Sequence, residues 1–201
     1  MNANQPEPEQ ARSGEQPKGT AWELYTWLRE IVFCIGIITI FFVFFIRLVS
    51  VSGSSMVPTL THGDKVALVS NFIAQDYDQG DIVVLLQRDY KNEPLIKRVI
   101  ATAGQTVDID FDNGVVYVDG EALQEDYVNA PIHLRGDQEY PLTVPENCIF
   151  VLGDNRNESA DSRFAAIGVI DIRKVMGEVK CVVLPFKHIG KPDMGIWAEK
   201  Q

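Results

Sequence analysis

From Ile31 to Ile46 the chain reads IVFCIGIITIFFVFFI, without one charged side chain. Extended through Leu48, Val49 and Val51, this run reaches about 20 residues, the length a helix needs to cross roughly 30 Å of hydrocarbon. Trp22, Tyr25 and Trp27 precede it as an interfacial aromatic belt would, and Arg29 and Arg47 flank it where long side chains reach headgroups. The sequence therefore predicts a juxtamembrane segment and one transmembrane helix over 22–51. A cleaved signal peptide is the competing reading, given the small residues at Ser50 and Ser52, but the run exceeds an ordinary h-region of roughly 7 to 15 residues. Residues 1–21 are rich in Gln, Glu, Pro and Gly without apolar periodicity and read as a disordered tail. Arg12, Lys18 and Arg29 before the span, against Arg47 and Lys65 beyond it, place that tail in the cytoplasm and the bulk of the chain outside.

The remaining residues, 52–201, carry short apolar stretches at intervals near ten residues. They are DKVALVS (64–70), DIVVLL (81–86), LIKRVIATA (95–103), TVDIDF (106–111), GVVYV (114–118), CIFVLG (148–153) and GEVKCVVLP (177–185). Asn113-Gly114 and Asp119-Gly120 are hairpin turn signals. With no long helical periodicity beyond the span, the fold class is mainly β: one N-terminal transmembrane helix, then an antiparallel β sandwich or partly open barrel with a hairpin insertion around 105–144. A formal charge of −10, from 18 basic and 28 acidic side chains, argues against nucleic acid as a partner. Cys34, Cys148 and Cys181 lack CxxC spacing, and His62, His133 and His188 are scattered, so no metal or other cofactor is expected. A Cys148–Cys181 bridge stays open beside the reading of both as small core residues.

Three segments carry chemistry. Ser52-Gly53-Ser54-Ser55-Met56-Val57-Pro58 follows the span directly, and serines beside Gly and Pro are commonly plain turn residues. In Leu95-Ile96-Lys97-Arg98-Val99 a lysine sits inside an apolar strand. Its amine either emerges at a sheet edge or is buried; burial disfavours the charged form and would let the neutral amine accept a proton from a serine hydroxyl, as in Ser-Lys nucleophilic catalysis. The third segment, Gly153 to Arg163 (GDNRNESADSR), crowds carboxylates, guanidiniums and small polar groups into one turn-rich stretch. It reads as a support for such an amine or as a solvated loop, and Asn157-Glu158-Ser159 also fits a glycosylation pattern.

Together these segments resemble type I signal peptidases, membrane-anchored Ser-Lys endopeptidases. Ser55 to Leu60 looks like the family's nucleophile box, Gly80 to Val84 its strand box, Ile96-Lys97-Arg98 its base box, and Gly153 to Arg163 its GDNRxxSxDSR box, in family order. The resemblance implies cleavage of signal peptides from exported preproteins after Ala-x-Ala-like sites, at the membrane and near the export channel. It makes Ser55 the nucleophile, Lys97 the general base, Ser159 the hydroxyl that orients the amine, and Asp154, Asp161 and Arg163 supports. Gly53 stands where some members place a serine for the oxyanion hole, as in the glycine-bearing Gram-positive type; Ser54 is not assigned that role. Val51, Met56, Leu95 and Ile96 are candidate walls of an apolar substrate groove, each equally readable as ordinary core. A self-cleaving repressor would need a DNA-binding helical module, which the N-terminal segment does not offer. A non-catalytic membrane-anchored assembly protein would not require Ser55, Lys97 and Ser159 together.

Overall fold

The structure is a computed structural model that describes residues 19–71, 76–88, 90, 92–185 and 190. Most of the expected N-terminal tail, and His188, lie outside those residues. Helix α1 runs Thr20–Phe45, 26 residues with none buried. At 1.5 Å per residue it is about 39 Å long, enough to span a bilayer.

Among the described residues the β-rich part has eleven strands: β1 (Ile46–Ser50), β2 (Lys65–Ser70), β3 (Ile82–Leu85), β4 (Leu95–Thr102), β5 (Thr106–Asp110), β6 (Val115–Val118), β7 (Glu121–Ala122), β8 (Leu142–Thr143), β9 (Cys148–Leu152), β10 (Ile170–Asp171) and β11 (Val175–Leu184). Seven form one curled sheet in the order β1-β2-β11-β3-β4-β9-β10, and four form a second in the order β7-β6-β5-β8. Every pairing is antiparallel. The expected mainly β class with one apolar helix is therefore what the chain adopts, as a half-barrel with edges at β1 and β10.

Two local expectations are corrected. The apolar run does not stay helical to Val51, because α1 stops at Phe45 and residues 46–50 pair with β2, Ile46 opposite Val69 through Ser50 opposite Lys65. An apolar run has no periodicity to separate a last helical turn from a strand; here the unpaired edge of β2 supplies the hydrogen bonds that decide it. The 105–144 insertion is more than a hairpin, since β7 and β8 widen the β5–β6 pair into a four-stranded sheet. Strands of two residues leave no alternation to read. The two turns lie where Asn113-Gly114 and Asp119-Gly120 put them, with Asp119 and Gly120 both at positive φ (54° and 83°), the backbone a tight hairpin requires.

Strand β4 is an interior strand of the seven-stranded sheet, between β3 and β9. Six of its eight residues are buried, Lys97 and Arg98 among them. Ile96 packs with Val51, Met56 and Leu60, while Val99 joins Val83, Leu85 and Val151 in a separate core, so both faces of the strand are covered. Ile100 and Ala101 extend into a third core that joins β4 and β9 to the insertion through Val107, Val116 and Phe150. Cys34, Cys148 and Cys181 are all free thiols.

Strands β2 and β11 meet closely at Gly177, where an added Cβ would strike the Val69 carbonyl and the Leu68 side chain. Gly177→Ala should therefore lower stability by about 1–3 kcal/mol, read as a drop in the thermal unfolding midpoint of the full chain in detergent. An unchanged midpoint would show that the two strands are not packed this closely.

Candidate active site

Ser55 lies in the loop between β1 and β2, tied down by its own backbone: the Asn155 N–H donates to the Ser55 carbonyl at 3.0 Å, and the Asn155 side chain donates to the Ser54 carbonyl at 3.2 Å. The loop that carries Ser55 and the GDNR segment are thereby joined through main-chain atoms. Gly153 has to be glycine for this approach, since a Cβ there would collide with the Ser159 side chain and the Ser55 carbonyl.

Lys97 Nζ donates to Ser55 Oγ at 2.7 Å. Lys97 is 3% exposed and Ser55 is half-buried, so the amine is shut away while the hydroxyl still meets the groove. Burial pushes the Lys97 pKa down from 10.5 to about 8; Asp161 and then Asp154 pull it back up, and Arg163 again favours the neutral amine.

The two carboxylates that could hold Lys97 charged are themselves occupied. Asp154 is gripped by Arg98, Nε to Oδ1 at 2.8 Å and Nη2 to Oδ2 at 2.7 Å, and it accepts from the Thr59 hydroxyl. Asp161 is gripped by Arg163 at 2.7 and 2.8 Å and accepts from the Gly153 N–H at 3.0 Å. All four of these charged side chains are fully buried. The sequence pointed to Asp154, Asp161 and Arg163 as supports; it gave no sign that Arg98 and Thr59 complete the set, because neither shares a segment with Asp154. Arg156 likewise leaves its own segment, pairing with Glu125 of the insertion.

Ser159 is buried against Gly153, but its hydroxyl has no hydrogen-bond partner, so the bond to the Lys97 amine expected of it is not made in this structure. Gly53 has φ of 97°, a conformation that L side chains rarely adopt, and its N–H donates to His62 Nδ1 at 3.3 Å. His133 Nδ1 is bonded to the Phe111 carbonyl. Asn157, in the glycosylation pattern, is spent on backbone bonds to residues 131, 133 and 134.

A groove of about 470 Å³ opens at Ser55 and Lys97, lined by residues 49–53, 55, 56 and 93–97. Val51, Met56, Leu95 and Ile96 all face it. Val51, Met56 and Ile96 are also members of a buried core cluster, so the two readings of these residues coincide: the groove is cut into the edge of the core. Among the described residues no group of three or more His, Cys, Asp or Glu could hold a metal.

Residues 24–184 match the model of a family described as signal peptidase, peptidase S26. The chain belongs to that family. The matched stretch takes in α1 as well as the β-rich part, so this S26 enzyme is a serine peptidase with a membrane anchor. A signal peptidase I of Bacillus licheniformis is 32% identical over 179 residues, 85% of this chain and 94% of its own. Signal peptidase IB of Staphylococcus aureus is 32% identical over 190 residues, 85% of this chain and 96% of its own. Among solved structures, a crystal structure of a signal peptidase I from Enterococcus faecalis is 30% identical with a TM-score of 0.43, over 51% of this chain and 96% of that one.

A lysine whose folded pKa lies below its unfolded value lowers stability at every pH where the unfolded side chain is charged, most fully below about pH 8. Lys97→Met should therefore raise the unfolding midpoint at pH 7, by something on the order of 5 °C, and the gain should shrink to roughly half by pH 9.5. A midpoint lowered at pH 7, or a gain independent of pH, would contradict the burial of the amine.

Proposed function

We propose that this S26 enzyme cleaves N-terminal signal peptides from exported preproteins after Ala-x-Ala-like sites, with Ser55 as nucleophile and Lys97 as general base. The observation that carries the reading is the 2.7 Å contact between Lys97 Nζ and Ser55 Oγ, made by a lysine whose pKa burial holds near 8. At pH 7 about one such amine in ten is neutral and able to take a proton.

The steps follow from that pair. An extended peptide lies in the groove along the edge of β1, its backbone bonded as an added strand and its small side chains in shallow pockets bounded by Val51, Met56, Leu95 and Ile96. Lys97 takes the Ser55 proton as Oγ attacks the scissile carbonyl. The oxyanion of the tetrahedral intermediate is met by the Ser55 N–H, and Gly53 leaves this enzyme without a side-chain hydroxyl two residues earlier. The Lys97 ammonium then protonates the leaving amine, and the neutral amine activates the water that releases the acyl chain. Ser159, buried and with a hydroxyl that has no hydrogen-bond partner, is the residue that orients the amine.

The chain is read as three parts: a cytoplasmic tail over 1–21, a membrane helix that ends at Phe45, and an extracytoplasmic catalytic domain that begins with β1. The basic residues Arg12, Lys18 and Arg29 before the span support that orientation. It puts the catalytic domain on the side of the membrane, near the export channel, where the cleavage region of a membrane-held preprotein arrives.

Arginine keeps the charge of Lys97 but does not release a proton in ordinary protein settings. Lys97→Arg should be as inactive as Ser55→Ala on a preprotein substrate, a loss of at least about a thousandfold. Substantial cleavage by folded Lys97→Arg protein would remove Lys97 from proton transfer.

A further inference from the structure

The insertion touches the charged network behind the site at several points: Leu134 accepts from Arg163, Glu125 pairs with Arg156, and one aromatic ring, Tyr127, meets Arg98. Tyr127 lies between β7 and β8, is 2% exposed, and stacks on Arg98 with its ring centroid 3.9 Å from Cζ. The edge of the Arg98 guanidinium is committed to Asp154, to the Gly80 carbonyl at 3.0 Å and more loosely to Thr59. Its face is what Tyr127 covers. The ring is held in turn: its hydroxyl donates to Glu125 Oε1 at 2.7 Å, and Glu125 accepts two bonds from Arg156, whose own guanidinium sits 5.8 Å from the same ring. Burial beside Glu125 pushes the phenol pKa well above its ordinary value, so Tyr127 stays neutral throughout the working range.

We propose that Tyr127, clamped by Glu125 and Arg156, is a positioning residue for the general base: by covering the Arg98 guanidinium it keeps the Arg98–Asp154 pair closed and dry, and so keeps Lys97 able to lose its proton. Lys97 and Arg98 are consecutive on β4, and their side chains diverge to different partners. The charges acting on the Lys97 amine are Asp161, Asp154 and Arg163. A guanidinium stacked on an aromatic face in a desolvated setting is more tightly fixed than one held at its edge alone. Without the ring, Arg98 loosens, Asp154 is less well compensated, and water enters behind the site. An uncompensated carboxylate and better solvation both favour the charged amine, so the two effects have the same sign. The insertion is then part of how the base is tuned, although none of its residues meets the substrate.

This inference rests on Lys97 acting as base, and one experiment separates the two claims: kcat/KM of the full chain in detergent against pH from 6.5 to 10, on a preprotein peptide. Wild type should show an acid limb near pH 8. In Tyr127→Leu the limb should move up by about one unit, so that the ratio of kcat/KM at pH 7 to that at pH 9.5 falls about tenfold. Glu125→Gln should move it the same way by less, and Tyr127→Phe, which keeps the ring on Arg98 but loses its bond to Glu125, should also move it by less than Tyr127→Leu does. If Tyr127→Leu does not fold, Glu125→Gln decides. Uniform loss across the pH range, or an unmoved limb in both variants, overturns the role of Tyr127 while leaving Lys97 as base. A wild type with no acid limb near pH 8 overturns the base assignment and this inference with it.

Discussion

Burying an amine is unfavourable unless something holds its charge or its proton can leave, and the centre of this structure is arranged around that constraint at Lys97. Two consecutive cations lie buried on β4. Arg98 receives a carboxylate at hydrogen-bond distance; Lys97 receives a serine hydroxyl, and burial favours its neutral form. In the proposed mechanism, the difference between a structural cation and a reactive one is thus set by which partner the fold supplies.

Other features follow from this arrangement. Asp154 and Asp161 lie close enough to act on Lys97, so each is paired with its own arginine, which lessens the field that would otherwise lock the amine as ammonium. Gly153 permits the approach that ties the GDNR box to the carbonyl of Ser55, fixing the hydroxyl relative to the amine. Ser55 and Lys97 both line the groove, and Ser55 is half-buried where Lys97 is 3% exposed, so the hydroxyl is the more accessible of the two groups.

Much of this was legible in the chain because the informative residues break a local pattern. A lysine within an apolar strand, serines just beyond an uncharged run, and a dense polar box after CIFVLG each conflict with their surroundings, and the structure brings all three together. The strands beyond the span were legible from alternation and turn residues. What could not be read depends on pairing between distant segments. Arg98 meets Asp154, and Arg156 meets Glu125, only through the sheet order, and nothing around Tyr127 marks it as a lid on a guanidinium. Residues 46–50 read as helix because apolar composition is the same for a span and an edge strand; the partner strand decides, and it lies further along the sequence.

The most direct test of the account is the titration of the Lys97 amine itself, followed by NMR in full-length protein carrying isotope-labelled lysine, with Lys97→Met to assign the signal. A midpoint near 8 is the result the buried geometry predicts. A midpoint at the ordinary value near 10.5, with Ser55 intact beside it, would mean that the amine remains an ion at working pH and that the contact with Ser55 is a hydrogen bond from a charged lysine and no more.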